Sequence, residues 1–194
     1  DAVVRRDGYK YTLHFERGEI VGDLKKEFLP KSKAKKTGTR THWLPDLDVF
    51  TDIKIPAEYF ADVMKRQAVV NAGITFKFRN ERSPGEFEET EFLYENGIMD
   101  YMEEITEGNS MTAPVCWHLE TQGRDREDKP DYKLKADVAF CVSNVVNRLE
   151  YYHNSSFLEY GGSPDKAVKM GFTSALDQYL KAQGKYTKNE SKIG

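Results

Sequence analysis

Two cysteines, Cys116 and Cys141, carry all the thiol chemistry of this 194-residue chain, and they stand far apart, outside any Cys-x-x-Cys spacing. That excludes a disulfide framework or a zinc ribbon. Both sit in apolar, strand-like segments and read as reduced core thiols. The histidines, His14, His42, His118 and His153, show no metal spacing. No apolar run approaches the ~20 residues that span a bilayer, and no charged-then-apolar leader opens the chain. The expectation is a cytoplasmic protein with no membrane partner, in which Asn154-Ser155-Ser156 and Asn189-Glu190-Ser191 carry no weight as glycosylation acceptors. An excess of one charge is lacking too. A net charge of −3 gives no overall steering toward nucleic acid, so any DNA contact has to come from a local patch.

What is present describes a globular protein. Hydrophobic residues make up 39% and charged residues 31% of the chain, whose length holds one large domain or two small ones. Residues 3–6 and 9–16 alternate around Asp7-Gly8, which predicts a hairpin, and Arg17-Gly18 makes a second turn. From Lys25 to Lys36 the chain is Lys-rich, holds Pro30 and has no period, so a mobile loop is expected there. A strand at 39–44 closes on Pro45. Pro56 then opens a helix whose apolar positions are Ala57, Phe60, Ala61, Val63, Met64 and Ala68. Asn71-Ala72-Gly73 stops that helix. Ile74, Phe76 and Phe78 alternate as a strand that pairs with 86–94 across Ser83-Pro84-Gly85.

Asn96-Gly97 breaks the chain, and a short helix follows over 98–105. Strands are expected at 115–120 and 134–142 around a charged loop, with a third near 148–152. The last helix takes Ser163 as N-cap, Pro164 at its first position and Asp165 beside the positive end of its dipole. Val168, Phe172, Leu176, Tyr179 and Leu180 form its apolar face. Gly184 ends it, and a polar tail runs from Lys185 to Gly194. No internal repeat is visible. Strands, helix and strands followed by strands and helix point to an α+β fold with a seam near Asn96.

The most informative run is Lys35-Lys36-Thr37-Gly38-Thr39-Arg40-Thr41-His42-Trp43-Leu44-Pro45-Asp46, followed by Phe50-Thr51-Asp52. Thr39 and Thr41 alternate with Arg40 and His42 and so share one strand face. A Gly beside a Thr lets the backbone approach a ligand while the hydroxyl donates or accepts. Further along stand Arg5-Arg6-Asp7-Gly8, Phe15-Glu16-Arg17-Gly18, Asn71-Ala72-Gly73-Ile74, Phe78-Arg79, Phe92-Leu93-Tyr94-Glu95-Asn96-Gly97-Ile98 and Gly161-Gly162-Ser163. In this order the series resembles the ATPase subunit of bacterial type IIA topoisomerases, the gyrase B and topoisomerase IV family. The resemblance implies the later part of a GHKL-type ATPase sandwich at 1–96, then the first part of a ribosomal-protein-like transducer domain at 97–194.

The resemblance further implies ATP and Mg as cofactors of a parent enzyme. That enzyme pairs with a second copy of the same subunit and with a DNA-cleaving partner subunit, and acts on double-stranded DNA. The family's general base and Mg-binding Asn, its Gly-rich phosphate lid and its transducer Lys have no counterpart here. The chain is therefore expected to be an internal fragment without catalytic residues, inactive alone. Thr39 matches the family's Thr at the adenine site, against the alternative of a strand Thr bonded to its own sheet. Arg6 matches an Arg at the pocket mouth, against a solvated charge beside a turn. Thr41 faces the same side as Thr39, where the family often has an aliphatic residue. Lys169 lies near a place where the family's positive charge faces a passing duplex, and Lys166 on the same exposed side of the helix is the second DNA-facing candidate, against an ordinary solvated helix face. The cluster Lys31, Lys33, Lys35, Lys36 and Arg40 lacks interleaved aromatics and reads as a solubilising loop. Two other readings stay open, a non-enzymatic nucleic-acid-binding module and another GHKL ATPase.

Overall fold

Asp7-Gly8 and Arg17-Gly18 each place two consecutive residues at positive φ, 52° and 78° in the first pair and 51° and 85° in the second. That is the backbone of a two-residue turn whose twist matches the strands it joins. In the computed structural model, which describes residues 1–187, these turns fold β1 (Ala2–Arg6), β2 (Tyr9–Glu16) and β3 (Glu19–Phe28) into an antiparallel meander. Strand β4 (Gly38–Thr41) returns to pair with β1, so the sheet order is β3-β2-β1-β4. Pairing runs one residue further than β4 itself, because the amide of His42 donates to the Asp1 carbonyl at 2.9 Å and the Asp1 amine donates to the His42 carbonyl at 2.8 Å.

This sheet belongs to the first of two compact units, Asp1–Pro56. None of its residues is fully buried. The expected loop from Lys25 is corrected in part. Lys25, Lys26, Glu27 and Phe28 are strand, paired with Thr12, Tyr11, Lys10 and Tyr9. Their composition hid this, but an edge strand tolerates lysine, since its outer side faces water. The loop proper begins at Leu29 and contains a single 3₁₀ turn at Lys31–Lys33.

The second unit is Ala57–Gly194. It comprises α1 (Ala57–Val70), the hairpin β5 (Phe76–Ser83) and β6 (Glu86–Phe92), α2 (Ile98–Thr106) and the hairpin β7 (Val115–Gly123) and β8 (Tyr132–Phe140). A short pair, β9 (Tyr152–His153) and β10 (Ser156–Phe157), precedes α3 (Gly162–Ala182). Residues 188–194, where Asn189-Glu190-Ser191 and most of the expected polar tail fall, lie outside the described residues.

The core of this unit is Ala68 and Val69 of α1 with Tyr94 and Tyr101, lined by Val70, Phe76, Phe92, Ile98 and Ile105. The Tyr94 and Tyr101 rings meet edge to face, 5.9 Å apart. Asn96, where the seam was expected, lies inside this unit. The turn there depends on Gly97, at φ 59°. A Cβ at Gly97 would stand 3.1 Å from the Val69 carbonyl oxygen and 3.2 Å from the Ala72 Cβ, so α2 starts against the end of α1 at a close approach and a positive φ that both favour glycine.

Two expectations for the later chain are corrected. Residues 148–151 form no strand; pairing begins at Tyr152. Ser163 is not the N-cap of α3, because Gly161 and Gly162, both at positive φ, turn the chain into the helix two residues earlier without a side-chain cap. The apolar face of α3 is largely open. Phe172, Leu176 and Tyr179 are 42%, 51% and 63% exposed. Helical periodicity marks a face that favours burial but does not supply the surface that buries it. Phe172 has one aromatic neighbour, Phe140, at 5.1 Å. Cys116 and Cys141 are free as expected but only half-buried, because β7 and β8 make a single two-stranded layer.

Candidate functional site

Residues directly opposite in a ladder share one face of the sheet, and the register of β1 brings the expected nucleotide residues together on this rule. Val4 is paired with Thr39 on one side and Tyr11 on the other; Ala2 is paired in the same way with Thr41 and Leu13. Arg6, two residues beyond Val4, is opposite Tyr9. Thr39, Thr41 and Arg6 therefore stand on one face of the same sheet. Arg5 and Arg40 stand on the other.

Both threonines are exposed, and neither hydroxyl makes a hydrogen bond within the chain among the described residues. Strand β4 is at the edge of the sheet. Arg6 is also exposed, with its Nε 3.2 Å from the Asp7 carboxylate. An ion pair this open to water contributes little to stability and leaves the guanidinium available.

Reading residues 25–28 as loop hid part of this face. Phe28 is paired with Tyr9 and Lys26 with Tyr11. The Tyr9 and Phe28 ring centroids are 4.5 Å apart, and the Lys26 ammonium lies 4.0 Å over the Tyr9 ring and 5.6 Å from that of Tyr11. The face thus runs from two hydroxyls on β4, across small and apolar side chains on β1, to an aromatic and cationic patch on β2 and β3. Alternation of Tyr9, Tyr11 and Leu13 was the available signal; the partner strand was not.

The second expected site is on α3. Lys166 and Lys169, three residues apart, are neighbours on the helix surface and both are exposed. They differ in their surroundings. Lys169 Nζ donates to Asp165 Oδ2 at 2.9 Å, and that hydrogen bond with the Asp165 charge holds the Lys169 ammonium above its ordinary pKa. Asp165 is held low in turn, first by Lys169 and also by a hydrogen bond from Tyr151. Lys166 has no ion-pair partner among the described residues.

A third cluster had no signature in the sequence. Glu104 accepts from Tyr94 Oη at 2.6 Å and is ion-paired with Lys65. Glu150 accepts from Tyr101 Oη at 3.2 Å, Tyr152 Oη at 2.7 Å and Arg148 Nε at 2.5 Å. These residues are up to about ninety apart in the chain, and none of their local spacings marks them as partners. Among the described residues, no group of three His, Cys, Asp or Glu side chains is placed to hold a metal, and no helix is long and apolar enough to cross a membrane.

Comparison with known proteins places this architecture. The family model for DNA gyrase B matches residues 97–194, the second half of the chain. The DNA gyrase B protein of Campylobacter jejuni is 24% identical over 99% of the chain, and the B protein of DNA topoisomerase 4 from Streptococcus pneumoniae is 26% identical over 93% of it. The chain spans about a quarter of the length of these curated relatives, 23% and 26% respectively. In structure, all of the chain superposes on 50% of the 43K ATPase domain of Thermus thermophilus gyrase B, solved in complex with an aminocoumarin, with a TM-score of 0.65 and 22% identity. The mixed α/β fold of sheets and three helices is similar to that domain. Matched over half its length by the family model and aligned along nearly all of it with these relatives, the chain belongs to the DNA gyrase B family.

Proposed function

We propose that the chain is part of the ATP-hydrolysing subunit of a type IIA DNA topoisomerase, in which ATP binding and hydrolysis are coupled to DNA strand passage. The observation that carries this reading is the convergence of Thr39, Thr41 and Arg6 on one sheet face within a chain of this family. On this reading residues 1–96 belong to the ATPase domain and residues 97–194 to the transducer. The start of the family match at residue 97 supports that seam.

ATP supplies a base to be recognised and a phosphoanhydride to be cleaved, and the residues present fit the first role. Thr39, with two lone pairs and a rotating O–H, matches the mixed donors and acceptors of an adenine edge. Thr41 lines the same face one hydroxyl further along. Arg6 offers a planar guanidinium at the end of the face, suited to stacking or to an anionic group. Mg would be held chiefly by the phosphates of the nucleotide and by a ligand that this reading assigns to no residue of the chain. No catalytic step is assigned to this chain.

Lys169 and Lys166 are the proposed DNA-facing cations of α3. A phosphate approaching Lys169 competes with Asp165, so the contact is an exchange of one anion for another. Lys166 has no ion pair to exchange among the described residues, although its charge also acts on Asp165. The partners implied are a second copy of the same chain, a DNA-cleaving subunit and double-stranded DNA. The test is a pair of measurements on the chain itself, nucleotide binding and ATP turnover. The expected result is no turnover above background. Steady hydrolysis abolished by a point substitution within the chain would overturn this division of labour. The alternative of a nucleic-acid-binding module predicts instead salt-dependent DNA or RNA binding by the chain alone.

A further inference from the structure

Asp62, Lys65, Arg66, Val69, Tyr101 and Arg148 surround a cleft of about 200 Å³ in the second unit. Three cations and one acid line it, and what matters is how many of their hydrogen-bond donors are already spent. Lys65 is ion-paired with Glu104. Arg148 uses its Nε on Glu150, and no second acid is ion-paired with it among the described residues, so its five-donor fork is only partly spent. Arg66 has no acidic partner at all among the described residues. Its guanidinium lies over the Phe157 ring, 4.0 Å from the centroid, so the ring holds the group in place while its edge donors stay free.

Asp62 lines the cleft, and the two acids set against its cations from outside the lining are already occupied. Glu104 accepts from Tyr94 as well as Lys65, and Glu150 accepts from Tyr101 and Tyr152 as well as Arg148. Tyrosine donors satisfy carboxylate oxygens that would otherwise compete for the guanidinium groups. The Tyr101 ring, with Lys65 and Arg148 each 5.7 Å from its centroid, forms the floor between the two cations.

We propose that this cleft binds a phosphate group, held by Arg66 and by the unspent donors of Arg148, with Lys65 adding charge. A phosphate fits better than a carboxylate because the cleft offers two planar forks where a carboxylate satisfies one. Glu104 and Glu150 balance Lys65 and Arg148, so Arg66 is the cation of the lining that no acid is ion-paired with among the described residues. The shared chemistry has two sources, free inorganic phosphate and a small organic phosphomonoester. The site shares no residue with the proposed nucleotide face, and it stands or falls independently of it.

The test is calorimetric titration of the 194-residue chain with inorganic phosphate and, separately, with glycerol 3-phosphate. Saturable binding of either probe is expected, and the probe that binds more tightly identifies the source. Arg66→Gln should weaken it by about tenfold or more, the loss of charge-assisted hydrogen bonds. Asp62→Asn should tighten it, because the only acid of the lining then loses its charge. Arg66 carries no internal ion pair, so Arg66→Gln is expected to melt with the unmodified chain. Lys77→Gln, on the exposed β5–β6 hairpin, is the control and should bind both probes as before. The proposal is overturned if neither probe saturates, or if the folded Arg66→Gln chain binds as tightly as the unmodified one.

Discussion

Thr39 and Tyr11 sit opposite the same residue, Val4, on either side of β1. One strand therefore sets a hydroxyl and an aromatic ring on a common face although they are far apart in sequence. In a complete subunit, Thr39→Ala should weaken ATP binding by roughly 1–3 kcal/mol if the hydroxyl joins a network that becomes buried around the base. The fold should be little changed, because Thr39 is exposed and unbonded in this structure. A nucleotide titration checks this, and unaltered affinity would return Thr39 to an ordinary edge-strand role.

Lys169→Glu in the complete enzyme should reduce DNA-stimulated ATP hydrolysis and leave the basal rate in place. The loss should be largest at low salt, where attraction to a duplex is least screened. The substitution also sets a second acid beside Asp165, whose present partner is Lys169. Lys169→Gln therefore separates lost attraction from added repulsion. Rates measured across a salt series decide the matter; equal DNA stimulation in all three proteins leaves Lys169 a solvated helix charge.

Alkaline pH should destabilise the second unit through its tyrosines. Burial first, then the Glu150 charge, pushes the Tyr101 phenol up to about 12. Tyr94 and Tyr152 are raised too, chiefly by burial and then by their hydrogen bonds to Glu104 and Glu150. An unfolded phenol ionises near pH ~10, so above that pH the unfolded chain gives up protons that the folded one keeps. The sign follows: stability is intact below pH ~10 and falls as pH rises from there toward 12. Denaturant melts from neutral to alkaline pH should show this fall, and a shallower one in Tyr101→Phe. An identical slope in both proteins would exclude Tyr101 as a source.

Gly97→Ala should cost more than Gly73→Ala. Both glycines have positive φ, but a Cβ at Gly97 meets Val69 and Ala72 while one at Gly73 meets nothing within 4 Å. Strain alone costs roughly 1–3 kcal/mol, and at Gly97 the clash adds to it and pushes α2 away from α1. Thermal melts of the two variants compare the effects directly. Equal losses would mean that the close approach carries no energy.

At Val69 the core can be probed alone. It is 2% exposed, and Val69→Ala should destabilise by about 1–3 kcal/mol through lost burial and the cavity left behind. A melt unchanged from that of the unmodified chain would show that the α1–α2 contact is not the stabilising core.

Local chemistry determined most of the elements by itself. Asp7-Gly8 specified a turn because few residues other than Gly, Asn and Asp tolerate positive φ. Pro56, the spacing of Phe60, Met64 and Ala68, and the break at Asn71-Ala72-Gly73 bounded α1 for equally local reasons. The shared side of Thr39 and Thr41 followed from the period of a strand. Other features depended on partners distant in sequence. Lys25 to Phe28 became a strand because β2 offered it a ladder, which outweighed a lysine-rich composition. Arg6 reached the threonine face only through the register of β1 against β4. The α3 face kept its helical period yet stayed half-open, since period reports a preference and burial requires a neighbour. Glu104, Glu150 and the tyrosines that bond them were invisible in sequence, because hydrogen bonds between segments far apart leave no spacing behind. Only the packing of α1, α2 and the 148–152 segment brought those residues around one cleft.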